Sequence, residues 1–222
     1  MADAIRTNAG HLTKFNGAAV AGYVTGSGSV PWTGATFDLF PHKYKVRINQ
    51  HDNAPALLGN VFDVETNAWK LSDVVAAIEA RHNANRHVSV YLSKANLPTL
   101  ANELTSRKLV ASIWLANWDL TEAEARAAVE AASGPFPLVA VQFASPSSNP
   151  DTEVPGAGGT LKALGADLSV ASVPWLDAVA EVPVGQRPPQ PPPAPPETGL
   201  LITSPLKARK VTSHDHGVTW HI

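Results

Sequence analysis

The chain has 222 residues, of which 44% are hydrophobic and 16% charged, enough length and apolar content for one sizeable core. Its formal net charge of -2 at pH 7 is not gathered into a basic stripe, so nucleic acid is not expected as a partner. The absence of cysteine excludes a disulfide framework and a thiolate metal site, and no window approaches the roughly 18 apolar residues of a membrane span, so no membrane partner is expected either.

The N-terminus, Met1-Ala2-Asp3-Ala4-Ile5-Arg6, has no basic-then-apolar signal pattern, so the expectation is a protein made in a cytoplasm without a signal peptide. Residues 1–16 read as an N-terminal arm. Short apolar runs then predict strands at Ala19–Val24, Tyr44–Asn49, Gly59–Val64, Val88–Leu92, Val110–Leu115, Leu138–Phe143 and Ala166–Val170. Between them, Leu71, Val74, Val75 and Ile78 fall at helical spacing, as do Leu97, Leu100, Ala101 and Leu104. Thr121 followed by Glu124 has the form of a capping box and predicts a helix over residues 122–132.

Strand and helix alternating this often imply an α/β domain with a largely parallel sheet. A TIM-barrel-like, closed or incomplete barrel over residues 17–183 is the expectation, with an open doubly wound sheet as the alternative. Gly22, Gly26 and Gly28 do not have the spacing of a dinucleotide-binding loop, and no cofactor is expected.

Composition changes at Arg187–Pro196, which holds seven of the nineteen prolines. Proline fixes φ and lacks the N–H, so residues 184–197 read as a stiff linker. Residues 198–222 are too few for a core of their own yet carry Leu200, Leu201, Ile202, Val211, Val218 and Trp220. The alternation in Gly217–Ile222 suits strand addition to a partner chain, or a tail that frays or packs on itself. His214, Asp215, His216 and His221 read as solvent-exposed tail residues, and His51-Asp52 as a loop turn; no metal site is expected.

The stretch Gly59-Asn60-Val61-Phe62-Asp63-Val64-Glu65 is an apolar strand ending in two carboxylates two residues apart. Strand side chains alternate, so Asp63 and Glu65 point the same way, into a barrel mouth if this is the strand's C-terminal end. Neighbouring like charges raise one pKa, which supplies a protonated acid beside an ionised partner. Solvated carboxylates opening the next loop are the alternative.

The order Lys45-Val46-Arg47-Ile48, Asp63-Val64-Glu65, Val90-Tyr91-Leu92-Ser93, Ile113-Trp114-Leu115-Ala116-Asn117-Trp118, Val139-Ala140-Val141-Gln142-Phe143 and Ala166-Asp167-Leu168-Ser169 resembles the motif order of family 25 glycoside hydrolases, the cell-wall muramidases. Gly22-Tyr23-Val24 with Trp32 is similar to the opening of the versions found in actinobacteriophage minor tail proteins. The resemblance implies that Glu65 protonates the glycosidic oxygen and that Asp63 and Asp167 stabilise positive charge at the sugar. It places Tyr23, Tyr91, Trp114, Trp118 and Gln142 along the sugar cleft; Trp114 and Gln142 also fit a core, and Asp167 a plain strand terminus. One departure stands out: Ala19 to Pro31, which contains the expected first strand, has no acid, only Tyr23, Thr25, Ser27 and Ser29. Catalytic activity therefore stays open.

The resemblance implies a bacteriophage virion protein, a minor tail component whose barrel binds or cleaves host cell-wall polysaccharide. The linker and apolar tail suit attachment to other virion proteins through residues 198–222, in several copies per particle. A free peptidoglycan muramidase and a catalytically dead decoration protein are the alternatives.

Overall fold

An unforeseen strand opens the barrel. The computed structural model of the protein describes residues 1–4, 6–25, 31–41, 43–50, 59–65 and 69–179, and Ala2–Ala4 forms strand β1, followed by a 3-10 helix over Arg6–Lys14. The barrel therefore begins at residue 2, not at residue 17, and the expected N-terminal arm is part of its wall. Three residues reading Ala-Asp-Ala carry no alternation to mark a strand, and the partners that make one of them lie far along the chain.

The seven expected strands follow: β2 (Ala19–Tyr23), β3 (Tyr44–Asn49), β4 (Val61–Val64), β5 (Ser89–Ser93), β6 (Ser112–Ala116), β7 (Leu138–Ala144) and, after a two-stranded hairpin of β8 (Glu153–Val154) and β9 (Gly159–Thr160), β10 (Ala166–Ala171). Strands β1 to β7 run parallel in chain order, and β10 closes the barrel between β7 and β1, antiparallel to both. This is a closed eight-stranded α/β barrel of TIM-like form with one reversed strand.

Helices connect the strands on the outside. The first, α1 (Gly34–Asp38), is set by a Thr33–Thr36 capping box. Helix α2 (Leu71–Asn83) has Asp73 in its first turn and Arg81 and His82 in its last, matching the helix dipole. Helices α3 (Leu97–Ser106) and α4 (Glu122–Ala131) follow, α4 with the expected Thr121–Glu124 box. Val74, Val75 and Ile78 of α2 and Leu100 and Leu104 of α3 pack with Phe62, Val90, Leu92 and Ile113 in one buried cluster, each such side chain contributing roughly 1.5–3 kcal/mol.

The N-terminal end of the barrel is stoppered. After the short α5 (Leu161–Leu164) and β10, helix α6 (Val173–Val179) turns beneath the strands and sends Trp175 inward, where its Nε1 donates to Ser89 Oγ at 2.8 Å. Trp175 meets Trp114 edge-on at 6.2 Å, and Trp114 meets Tyr91 at 5.2 Å, an aromatic column rising inside the barrel. Asn60 donates to the Val179 carbonyl and Tyr44 to Asp177, tying α6 in place. With that end filled, the C-terminal mouth is the end left for chemistry.

The barrel belongs to a compact unit, Met1–Arg187. The expected linker and tail over residues 184–222, with the histidines at 214, 216 and 221, lie outside the described residues, as do His51 and Asp52.

Candidate active site

Strand periodicity and one reversed strand together build the site. Residues 61, 63 and 65 share a face, and Val61 belongs to the inner cluster with Val46, Ile48, Tyr91 and Trp114, so Asp63 and Glu65 also face the barrel interior. Asp63 pairs with Tyr91 in register across β4 and β5, which puts Glu65 diagonally above Tyr91 at the mouth. Because β10 runs backwards, its beginning lies where the parallel strands end. Asp167, its second residue, is thereby delivered to the same mouth as Asp63 and Glu65. Gly165 makes that delivery possible: at φ 59 it ends α5 in the left-handed region and turns the chain into β10.

Asp167 has an acidic partner that the sequence reading passed over. Asp3 on β1 lies directly opposite it in the antiparallel register, and beside Ala21 of β2 on the other side. The strand before Ala19–Tyr23 thus brings to this mouth an acid that Ala19–Pro31 lacks. Ala19–Tyr23 is the second strand of the barrel, and the acid stands on the first, Ala2–Ala4. Only the acid flanked by two small apolar residues, Ala2 and Ala4, hinted at it.

Four carboxyl groups share this mouth, and each is held above the ordinary carboxylate range. Asp3 is fully buried and is raised well above it by burial and then by Asp167, with the terminal amine of Met1 acting in the opposite sense. Asp63, also fully buried, is raised well above it by burial and by Glu65, against a hydrogen bond from Gln50. Burial raises Glu65, with the nearby Tyr91 hydroxyl acting in the opposite sense. Asp167 is pushed up to about 7 by burial and by Glu65. Two oxygens, Oδ1 of Asp3 and Oδ1 of Asp63, are buried without a hydrogen-bond partner. Such atoms are costly to leave unpaired inside a folded chain. Tyr23 is affected by the same acids and is raised well above its usual value, by burial first and then by Asp3 and Asp63.

Hydrogen bonds hold the rest of the mouth. Gln50 Nε2 donates to Asp63 Oδ2 at 3.1 Å. Gln50 is itself anchored, its backbone N–H donating to Thr25 Oγ1, which donates to Asn49 Oδ1; Trp69 Nε1 donates to the same Asn49. On the other side, Tyr91 Oη and Trp118 Nε1 both donate to Gln142 Oε1, at 2.7 and 3.1 Å. Trp118 remains 42% exposed, so its ring is open to a ligand while its N–H is pinned.

Compared with family models, curated proteins and solved structures, the chain finds no match in any of the three. Function must be read from the site itself.

The structure brings together Asp63, Glu65, Asp167, Tyr23, Tyr91, Trp118 and Gln142 of the sequence-predicted set. It makes Trp114 core, the alternative that the apolar strand had favoured: the ring is 1% exposed, packed edge-on against Tyr91 and Trp175, with Nε1 donating to Ser169 Oγ at 3.2 Å. Gln142 is also buried, and its carbonyl is already occupied by two donors, so it supports its neighbours before it touches a ligand. The sequence reading also missed Gln50, although it continues the inward parity of Val46 and Ile48. Among the described residues no group of three or more His, Asp or Glu is placed to hold a metal ion, and no helix is long and apolar enough to cross a membrane. A cavity of about 360 Å³ bounded by His82, His87, Val110 and Pro137 lies at the N-terminal ends of β5 to β7, away from the carboxyl groups.

Proposed function

We propose that the barrel mouth is a glycan site of the muramidase type, carried by a bacteriophage minor tail protein that binds or cleaves host cell-wall polysaccharide. The observation that carries this reading is the convergence of Asp3, Asp63, Glu65 and Asp167 at one end of the barrel, beside the partly exposed ring of Trp118. Glycosidic cleavage needs an acid that holds its proton near neutral pH and anionic groups that stabilise positive charge developing at the sugar. Glu65 is the most exposed of the four and its pKa is raised, which suits the proton donor. Asp63, Asp167 and Asp3 suit the second task, and Trp118 offers a flat face to pyranose C–H groups. This chemistry requires no cofactor.

The virion assignment draws on the resemblance to the family 25 phage tail proteins, and on a Pro-rich run followed by an apolar tail suited to tethering on other virion proteins. A second reading, glycan binding without turnover, draws support from the complete burial of Asp3 and Asp63. Carboxyls held toward their neutral forms stabilise less charge in a transition state.

The test incubates the full chain and its Glu65→Gln variant with actinobacterial peptidoglycan, measuring reducing ends and the fraction of protein that sediments with the wall. Turnover lost in Glu65→Gln supports the enzyme. Sedimentation without turnover supports the binder, and the absence of both turnover and sedimentation removes both readings.

A further inference from the structure

The cavity at the N-terminal ends of β5 to β7 has the opposite charge character to the carboxyl-lined mouth. Helix α6 fills the barrel interior at that end, whereas the cavity forms where connecting segments enter the strands. His82 comes from the last turn of α2, Arg86 and His87 from the turn before β5, Val110 and Ser112 from the entry to β6, and Pro137 from the entry to β7. Hydrogen bonds hold these groups in place. His82 Nε2 lies 2.8 Å from the Val110 carbonyl, which can only accept, so that nitrogen carries a proton. His87 Nε2 lies 3.1 Å from the buried Ser112 Oγ. Asn85, in the left-handed region at φ 51, turns the chain out of α2, and the buried Arg81 donates to the His87 carbonyl at 3.1 Å.

The charges here are one-sided. Arg86 lines the cavity, and among the described residues its guanidinium forms no ion pair; no acidic side chain lines the cavity with it. Glu79, the acid of α2 nearest in sequence to His82, is paired with Arg107 at 3.9 Å instead. Burial and then the charge of Arg86 lower the pKa of Arg81, and burial and then Arg81 hold His87 below its ordinary range. A bound anion offsets this crowding of positive charge. The cavity also has an apolar side in Val110, 47% exposed, and Pro137. Its volume of about 360 Å³ is that of a small-molecule site.

We propose that this cavity binds a small organic anion, a carboxylate or phosphate monoester on a short apolar body, with the anionic group on Arg86 and His87 and the body against Val110 and Pro137. The planar fork of Arg86 suits either oxyanion, and the two kinds of surface together select an anion that also carries apolar area. The site is separate from Glu65, so the proposal does not rest on the glycan reading.

The experiment titrates the full chain, labelled at histidine, with phenyl phosphate and with benzoate at low salt, following the imidazole signals by NMR. Inorganic phosphate and acetate serve as the same anions without the ring, and benzamide as the ring without the charge. The His82 and His87 signals are assigned by their loss in His82→Gln and His87→Gln. At least one of the two aromatic anions should shift both signals saturably, and the tighter of them identifies the preferred oxyanion. Its ring-free counterpart should bind about tenfold more weakly, the effect of burying a small apolar group. Arg86 is exposed, so Arg86→Gln leaves the core intact; it should weaken binding by about tenfold or more, as loss of a charge-assisted hydrogen bond does. Arg126→Gln, on α4, should leave binding unchanged. No shift of His87 with either aromatic anion, equal binding of benzamide or of the ring-free anion, or an affinity unchanged in Arg86→Gln overturns the proposal.

Discussion

Asp3 of β1 and Asp167 of β10 face each other directly across the antiparallel β1–β10 pair that closes the barrel. Directly opposed side chains in an antiparallel pair have Cβ atoms about 5 Å apart, so these two carboxyls cannot both ionise cheaply. Their raised pKa values have a thermodynamic consequence. The folded chain binds protons that the unfolded chain has already released, so stability from these groups is full below the unfolded carboxylate range and is lost as pH rises through the folded value. For Asp167 that window runs from its ordinary 3.8 to about 7. Thermal melts should therefore show a chain more stable at pH 5 than at pH 8, by on the order of a few kcal/mol. Asp3→Asn should flatten this slope and raise the melting temperature at pH 8. A slope unchanged in that variant removes Asp3 from the coupled set.

Glu65 carries the chemistry in the proposed function, and its replacement separates chemistry from binding. Glu65→Gln keeps the side chain's size and removes the transferable proton. If the mouth is a glycosidase, release of reducing ends should drop by about 10²–10⁴-fold, the usual contribution of a general acid, while sedimentation with the wall is retained. Equal turnover in the variant assigns the proton to another group, with Asp167 next in exposure.

How much of this was legible beforehand depended on strand length and on distance along the chain. Seven strands and two helices follow from apolar periodicity and a third helix from its Thr121–Glu124 capping box, and β3 was predicted to the residue, Tyr44–Asn49. Asp63 and Glu65 were legible because an apolar strand runs straight into them. Asp167 needed the motif order as well, since nothing local to Ala166–Ala171 tells that the strand runs backwards. β1 was invisible for a different reason: a three-residue strand is defined by its partners, and Asp3 meets Asp167 across nearly the whole length of the domain. Trp114 stayed between core and cleft in the sequence because alternation gives the face of a strand but not the depth along the barrel axis; its burial makes it core.

Gln50 offers a check on the opposite side of the mouth. Its amino group donates to Asp63 Oδ2 and holds that carboxyl's pKa below what burial alone would make it. Gln50→Leu removes the donor and leaves a second oxygen of a buried carboxyl without a partner. Asp63 should then titrate higher still, read by carboxyl NMR at aspartate, while the Glu65 midpoint moves much less. Since Thr25, Asn49 and Trp69 keep their own hydrogen bonds, the fold should lose no more than about 1–3 kcal/mol. An unmoved Asp63 midpoint means that this hydrogen bond does not control the group.

Gly165 links the backbone to the site most directly. It sits at φ 59, and a Cβ added there would run into the side chain of Asn8. A left-handed residue other than glycine costs roughly 1–2 kcal/mol, and the clash with Asn8 adds to it. Gly165→Ala should therefore lower stability by about 2 kcal/mol or more in chemical denaturation. It should also disturb function beyond that loss, because β10 begins at the next residue and Asp167 follows it. Asn8→Ala in the Gly165→Ala background removes the clash but leaves the backbone strain. If the strain governs where β10 starts, this double variant recovers part of the stability while the Asp167 titration midpoint stays displaced from its value of about 7. Full recovery of both would mean that the clash alone moves Asp167, and that the left-handed turn is not what sets its place opposite Asp3.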